Sequence, residues 1–226
     1  MGILLSLIMP IPKKYLADFE EHKIYHVFNR TNNKEKLFLS DENHRFFLKK
    51  YSEYLSPFSE TIVWCLLSNH FHFLIRIKSL EIIKADLSSR DIEFLSASEK
   101  DFLKEGITLS ELVERAFKRF FQSYALAFNK VHQRKGNLFY KPFKRLEITS
   151  ESHFTQVIIY IHTNPSKHRF TSDFSTWRWS SYQDILRNSE TPLHSAIINW
   201  FGGIDQFIKL HKEALIRYEQ DFAIED

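Results

Sequence analysis

The sequence predicts an α+β fold, with helices packed on an antiparallel sheet. Three observations predict it: short runs rich in β-branched and aromatic residues, longer segments whose apolar residues recur at three and four, and turn-forming clusters between them. The 226 residues are 43% hydrophobic and include 22 Phe, 9 Tyr and 4 Trp, enough for one sizeable packed core rather than a disordered chain.

In chain order, Ile24 to Asn29 reads as a first strand, closed by the turn-rich cluster Arg30-Thr31-Asn32-Asn33. Asp41 to Leu55 has helical spacing, with Asp41 as the cap and Phe46, Phe47, Lys50, Tyr51 and Tyr54 recurring at three and four; Ser56-Pro57 ends it. Thr61 to Ile77 supplies one or two strands around Ser68-Asn69. The more charged stretch from Leu80 to Ser110 reads as an insertion with one short helix. Glu111 to Gln133 is the clearest helix, with a stripe of Val113, Ala116, Phe117, Phe120, Tyr124, Ala127, Phe128 and Val131. After the Gly136-Asn137 turn, Leu138 to Ile148 is extended and basic. A further helix opens at Ser150 and runs to about Thr163, because Pro165 disfavours helical geometry at Asn164. The organisation expected is an N-terminal tail over 1–22, a main domain over 23–183 and a C-terminal helical extension over 184–226.

Composition excludes several functions. Cys65 is the one cysteine, so the chain can form no internal disulfide and a reducing cytosol is the expected location. The apolar N-terminal eight residues are too short to span a bilayer and lack a basic lead-in, so no membrane role is expected. Five glycines form neither G-x-G-x-x-G nor G-x-x-x-x-G-K, which removes a nucleotide cofactor. A net charge of +3 is mild, and its clustering carries more information than its size.

His70-Phe71-His72 is the strongest local signal. Side chains two apart on a strand share a face, so two imidazoles would project together and offer half a coordination sphere. An isolated pair of this kind is more often a surface or hydrogen-bonded one, so the case rests on what converges with it. Tyr160 and Asn164, four apart, share a helix face. A tyrosine hydroxyl can be a nucleophile, although its ordinary pKa of ~10 makes it weak at neutral pH. Asn164 offers a neutral carbonyl oxygen as a third ligand. No spacing rule by itself joins this helix to the histidine strand.

Leu67-Ser68-Asn69-His70-Phe71-His72-Phe73-Leu74-Ile75 resembles the His-hydrophobic-His block of the HUH single-strand tyrosine transposases, and most of all the REP-associated tyrosine transposases. Tyr25-His26-Val27-Phe28-Asn29-Arg30 resembles their opening strand, Gly136-Asn137-Leu138-Phe139 with Lys144 their central loop, Tyr160 to Pro165 their nucleophile helix, and Trp179-Ser180-Ser181-Tyr182 their C-terminal signature. The blocks keep the family order over about residues 23–183, with Ser68 where the family commonly has proline.

The resemblance implies a ferredoxin-like sheet, His70, His72 and Asn164 as ligands of Mg²⁺ or Mn²⁺, and Tyr160 as nucleophile, with Gln156 a weaker candidate ligand. It also implies single-stranded or hairpin DNA as substrate, a 5′-phosphotyrosyl intermediate, and often a homodimer. Imidazole ligands favour Mn²⁺ over Mg²⁺. The expected DNA contacts are Lys118, Arg119, Lys130, Arg134, Lys135, Lys141, Lys144 and Arg145, with Phe139, Tyr140 and Phe143 interleaved for stacking, and Lys167 and Arg169 beyond the helix. Two other readings compete: a domesticated, non-cutting hairpin-DNA-binding regulator, and an unrelated metal-dependent hydrolase, which would need a carboxylate ligand that no motif supplies.

Overall fold

The fold is that of a computed structural model, which describes residues 12–223 apart from 33 and 34. Strand β1 (Ile24–Arg30) is followed by helix α1 (Asp41–Leu55), the hairpin of β2 (Ser59–Leu67) and β3 (His70–Ile77), and two short helices, α2 (Leu80–Ser88) and α3 (Ala97–Leu103). Then come the long helix α4 (Leu109–Val131), the edge strand β4 (Lys144–Glu147), α5 (Glu151–Lys167), α6 (Tyr182–Arg187), α7 (Pro192–Trp200) and α8 (Ile204–Ala223). The strands lie in the order β2-β3-β1-β4 and every neighbouring pair is antiparallel. With α1 and α4 as the connecting helices, this is the β-α-β-β-α-β ferredoxin-like arrangement, into which α2 and α3 are inserted.

The two-residue period of the strands divides the molecule into two cores. Tyr25, Val27, Phe71, Phe73 and Ile75 face α1 and α4 and pack with Phe47, Tyr51, Phe117, Phe120 and Tyr124. The stacking of Tyr51 on Phe73, ring centroids 3.9 Å apart and nearly parallel, typifies this aromatic layer. On the opposite face Cys65, Leu67 and Leu74 pack under Val157, Ile158 and Ile161 of α5. The C-terminal helices complete this second core rather than hanging off it, since Ile197, Phe201 and Phe207 are buried there. α6 also crosses the expected boundary at residue 183.

Several boundaries differ from those expected. The cap of α1 is Ser40, whose Oγ accepts the Asn43 N–H at 3.4 Å, while Asp41 binds Arg178 at 2.6 Å. A capping box sets the start of α4, with the Glu111 N–H donated to Thr108 Oγ1 and the Thr108 N–H to Glu111 Oε2, at 3.2 and 2.8 Å. Val131 lies off the buried stripe of α4, which Leu112 and Phe121 join. The insertion carries two helices, not one. Within the N-terminal tail, Phe19 is buried against Tyr25, and Leu16 bridges to Arg145 of β4. The apolar first eight residues lie outside the described residues.

The largest difference is α5, which runs through Pro165 to Lys167, so Asn164 is a buried interior residue and not a helix end. The proline costs one main-chain bond, but it is itself buried, and the following turn closes through the bond from His168 N–H to Asn164 O at 3.0 Å.

A chain of hydrogen bonds fixes α5 to its surroundings. His211 Nδ1–H donates to Phe207 O at 2.7 Å, leaving Nε2 to accept from His162 Nδ1–H at 3.0 Å. His162 Nε2 then accepts from Ser181 Oγ at 3.0 Å, and Ser181 Oγ accepts the Trp64 N–H at 2.9 Å. The Ser181 hydroxyl also lies 3.2 Å from Trp64 O, and both imidazoles are neutral.

Burial lowers the pKa of His162, and that of His211 from 6.5 to about 4. The unfolded chain therefore takes up protons first, so this stability is complete above about pH 6.5 and is lost as the pH falls towards 4. Urea unfolding at pH 7 and pH 5 should show a marked loss for the native chain. His211→Leu should remove its share of that dependence, roughly 3 kcal/mol over the full window. An unaltered pH slope in the variant would show that His211 is not among the groups responsible.

Candidate active site

The candidate site lies between β3, β1 and α5. Residues paired directly across an antiparallel ladder share a face. Phe28 stands opposite His72, Arg30 opposite His70, and His26 opposite Leu74. His70 and His72 therefore project together with Phe71 behind them in the aromatic core, as their spacing requires. α5 crosses this face and sets Tyr160 and Asn164 above the histidines. The Tyr160 ring lies 5.4 Å from His72 and 6.0 Å from His26, edge to face in both cases. Asn164 Oδ1 lies 3.4 Å from His70 Nε2. Tyr160 is 36% exposed, whereas His72 is 4% and Asn164 0% exposed: the hydroxyl-bearing residue can be reached while the nitrogen and oxygen donors are shielded. All of these groups belong to one chain.

Proton accounting shows what the donors lack. His70 Nδ1 lies 2.7 Å from Asn69 Oδ1, which can only accept, so the proton is on Nδ1 and Nε2 keeps its lone pair. Burial lowers the His70 pKa to about 4, so the ring carries no second proton at neutral pH. Its Nε2 thus faces Asn164 Oδ1, another acceptor, with nothing between them. Turning the amide over would satisfy this contact with Nδ2; a cation satisfies it with the amide as placed. Asn164 Nδ2 and His72 Nε2 are both buried without a partner.

His72 Nδ1 shares a proton with His26 Nε2 at 2.9 Å. With that proton on His72, its Nε2 is a bare lone pair beside that of His70. Burial holds His72 well below the usual histidine range and His26 at about 3, so both are neutral. Two imidazole nitrogens and one amide oxygen fit a divalent cation that keeps further positions for water and phosphate. Among the described residues no three His, Cys, Asp or Glu side chains group closely enough to hold an ion, so the amide oxygen completes the donor set. His26 does not add a third imidazole, because its Nε2 is used on His72.

Two neighbours have roles that the sequence does not reveal: His26 orients His72, and Phe28 stacks near both rings. His168, in the basic run after α5, lies 5.0 Å from His70. The period of two places His26 and Phe28 on one face of β1, but only the β1–β3 register brings that face to the histidines. Lys167 Nζ lies 5.2 Å from the Tyr160 ring, and burial lowers its pKa. Gln156 is exposed, and it is Asn164 that meets His70.

The expected DNA-contacting cations divide into distinct groups. Lys118, Arg119 and Lys130 are on α4, across the sheet from α5, and Lys118 and Arg119 pair with Glu114 and Glu99 at 2.6 and 3.6 Å. Arg134 is tied to Glu35 and to Asn137 O, stapling its own loop. Arg145 is a correction: it is 5% exposed, and donates from Nε to Ala17 O at 2.6 Å and from NH2 to Glu114 at 3.1 Å. Phe139 and Phe143 are likewise buried in the aromatic core. Lys135, Lys141 and Arg169 are exposed, and Lys144 lies half-buried on the site face.

No family model and no curated protein matches the chain. Solved structures do match, among them "Structure of the REP associates tyrosine transposase bound to a REP hairpin". The chain is similar to that transposase. The identity is 15%, over 83% of this chain and 90% of the other, with a TM-score of 0.49. The chemistry of the site rests on its own geometry. Among the described residues no helix is long and apolar enough to cross a membrane.

The two kinds of cation separate in a stability measurement. Arg145→Ala removes a buried pair and leaves the Ala17 carbonyl unmet, and should cost about 2 kcal/mol. Lys141→Ala on the exposed loop should stay within about 0.5 kcal/mol of the native chain in the same denaturation series. Equal, negligible effects would mean that the Arg145 contacts do not hold the fold.

Proposed function

We propose that the chain is a metal-dependent nuclease and strand transferase for single-stranded DNA, acting at hairpin-associated sites with Tyr160 as nucleophile. The observation that carries this reading is the placement of Tyr160 and Asn164, on one helix turn, against His72 and His70 of the same chain. A phenol one turn from an open set of metal donors is an arrangement suited to attack on a phosphodiester, and the site's few charges leave its balance to the substrate and an ion.

His70, His72 and Asn164 would hold Mg²⁺ or Mn²⁺, which supplies positive charge to the phosphate and lowers the cost of charge building on its oxygens. Tyr160 Oη loses its proton to solvent and forms a bond to phosphorus. The bond from phosphorus to the 3′-oxygen breaks, and that oxygen leaves as a hydroxyl with a proton from water. The protein then carries a 5′-phosphotyrosine. Attack by the same or another 3′-hydroxyl reverses the step and rejoins DNA without ATP. Lys167 Nζ, 5.2 Å from the centre of the Tyr160 ring, sets a cation beside the phenol that an approaching phosphate can meet. The edge-on contacts of Tyr160 with His72 and His26 restrict the ring's rotation, so that the hydroxyl is oriented before substrate arrives.

With a divalent metal and hairpin oligonucleotides carrying single-stranded flanks, the native chain should form a denaturation-resistant protein–DNA adduct. Tyr160→Phe should abolish the adduct and keep binding. An undiminished adduct in the variant would remove Tyr160 from the mechanism. Mixing His70→Ala chains with Tyr160→Phe chains should restore nothing, because Tyr160 stands against the histidines of its own chain; recovered adduct would mean that the site assembles across copies.

Metal binding has its own readout. A concentration of Mn²⁺ about tenfold above its dissociation constant should stabilise the native chain by ~1.4 kcal/mol, a rise in Tm of a few degrees. The rise should vanish in His72→Ala and in Asn164→Ala. A shift of the same size in both variants would place the ion elsewhere.

A further inference from the structure

Half of the site face is open. α5 packs mainly across β2 and β3, and the face of β1 and β4 beside Tyr160 carries half-buried Phe28 and Lys144 and exposed Arg30. The residues that alternate onto this face, from Ile24 to Arg30 and from Lys144 to Ile148, include no carboxylate. Glu147 pairs with Tyr25, and so points to the other side. Ile24 and Ile148 pack against the second core and His26 is buried, so the open part runs from Phe28 to Arg30, ~7 Å along β1 at ~3.3 Å per residue.

Its chemistry is aromatic and cationic in alternation. The Phe28 ring lies 4.7 Å from His26 and 5.7 Å from His72, within 30° of parallel to each at 29° and 25°. Lys144 Nζ sits 5.7 Å from the Phe28 ring and 5.1 Å from that of Tyr15. At the other end the Arg30 guanidinium lies 4.8 Å from the Tyr140 ring, and the Tyr140 N–H to Arg30 O bond of 3.0 Å holds the two together.

We propose that this strip is a track for unpaired nucleic acid, in which Phe28 stacks on the base next to the phosphate held at Tyr160, while Lys144 and Arg30 follow the backbone. The inference rests on the nuclease reading for its polarity, though not for its chemistry. Cations on an acid-free strip complement a polyanion, and the half-buried Phe28 ring, which Tyr15 meets edge to face at 6.0 Å, offers its exposed part to a base whose own face is free. A duplex hides its base faces and gains only from the cations. The strip therefore favours a single strand over a paired one, and it is continuous with the candidate site, because Phe28 stands directly opposite His72.

The test uses the full chain with Tyr160→Phe in chelator, so that neither cleavage nor metal enters. Fluorescence anisotropy compares labelled oligothymidine with a blunt duplex of equal length. Oligothymidine should bind more tightly. Adding Phe28→Ala should weaken it about tenfold while leaving the duplex unaffected, and Phe28→Trp should restore it. Lys144→Gln should lower the salt slope for oligothymidine by about 0.7. Thermal unfolding of each variant separates loss of the track from loss of the fold. Equal affinity for both probes, or undiminished oligothymidine binding by folded Phe28→Ala, would overturn the proposal. The adduct assay decides the nuclease reading separately: binding that needs Phe28 without any adduct leaves the track and removes the chemistry, and the reverse result does the opposite.

Discussion

The site depends on the rotation of one helix over one sheet. α5 buries Val157, Ile158 and Ile161 against β2 and β3, and at ~100° per residue that choice also fixes where its other side chains point. Asn164 follows Ile161 by three and lies close to the buried line, whereas Tyr160 lies at its margin, half-way to solvent. One rotation therefore sets both a shielded oxygen over His70 and a reachable hydroxyl beside His72. The closed chain from Trp64 through Ser181 and His162 to His211 holds that rotation from the other side. Apolar packing alone tolerates some turning of a helix; a buried polar chain with every partner assigned does not.

Two pairs of buried histidines flank α5, and the contrast between them separates scaffold from site. In His162–His211 both outer nitrogens are satisfied, by Ser181 and by the Phe207 carbonyl. In His26–His72 the inner contact is equally short, yet His72 Nε2 has no partner. Leaving a buried polar atom unmet costs about 1–3 kcal/mol, and His72 Nε2, beside the unmatched lone pair on His70, is the atom that the proposed metal would satisfy. Burial keeps both imidazoles neutral, which is the state that binds a metal. The same burial destabilises the chain at acid pH, so the readiness of the site and the pH sensitivity of the fold have one origin.

The sequence made the sheet, its two-sided strands and the long helix α4 legible, because strong periodicity there coincides with burial. It also marked His70, His72, Tyr160 and Asn164, although only a resemblance joined the two segments, since register and helix rotation are tertiary facts. Pro165 misled because local geometry argues for a helix end, while burial of Pro165 and Asn164 offsets the lost hydrogen bond. Arg145 misled in a different way. Position in a basic run cannot tell a cation facing solvent from one folded inward over Phe19 and Phe143 towards Glu114. His26 escaped notice because its importance lies entirely in its partner across β1–β3.

The edges of the sheet bear on how the site can be assembled. An uncovered edge strand invites pairing with a second copy. Here the outer side of β2 is occupied by its own chain, through the Leu66 N–H to Trp179 O bond at 2.8 Å and the Ser181 N–H to Trp64 O bond at 2.9 Å. Leu16 meets β4 at Arg145. Sheet-to-sheet pairing would have to displace these segments, and displacing Ser181 would also break the chain that holds α5. The segment Trp179-Ser180-Ser181-Tyr182 thus closes an edge and braces the tyrosine helix together. A second copy that joined through β2 would disturb Tyr160 in doing so, and therefore a complete site favours a chain that keeps its edge to itself.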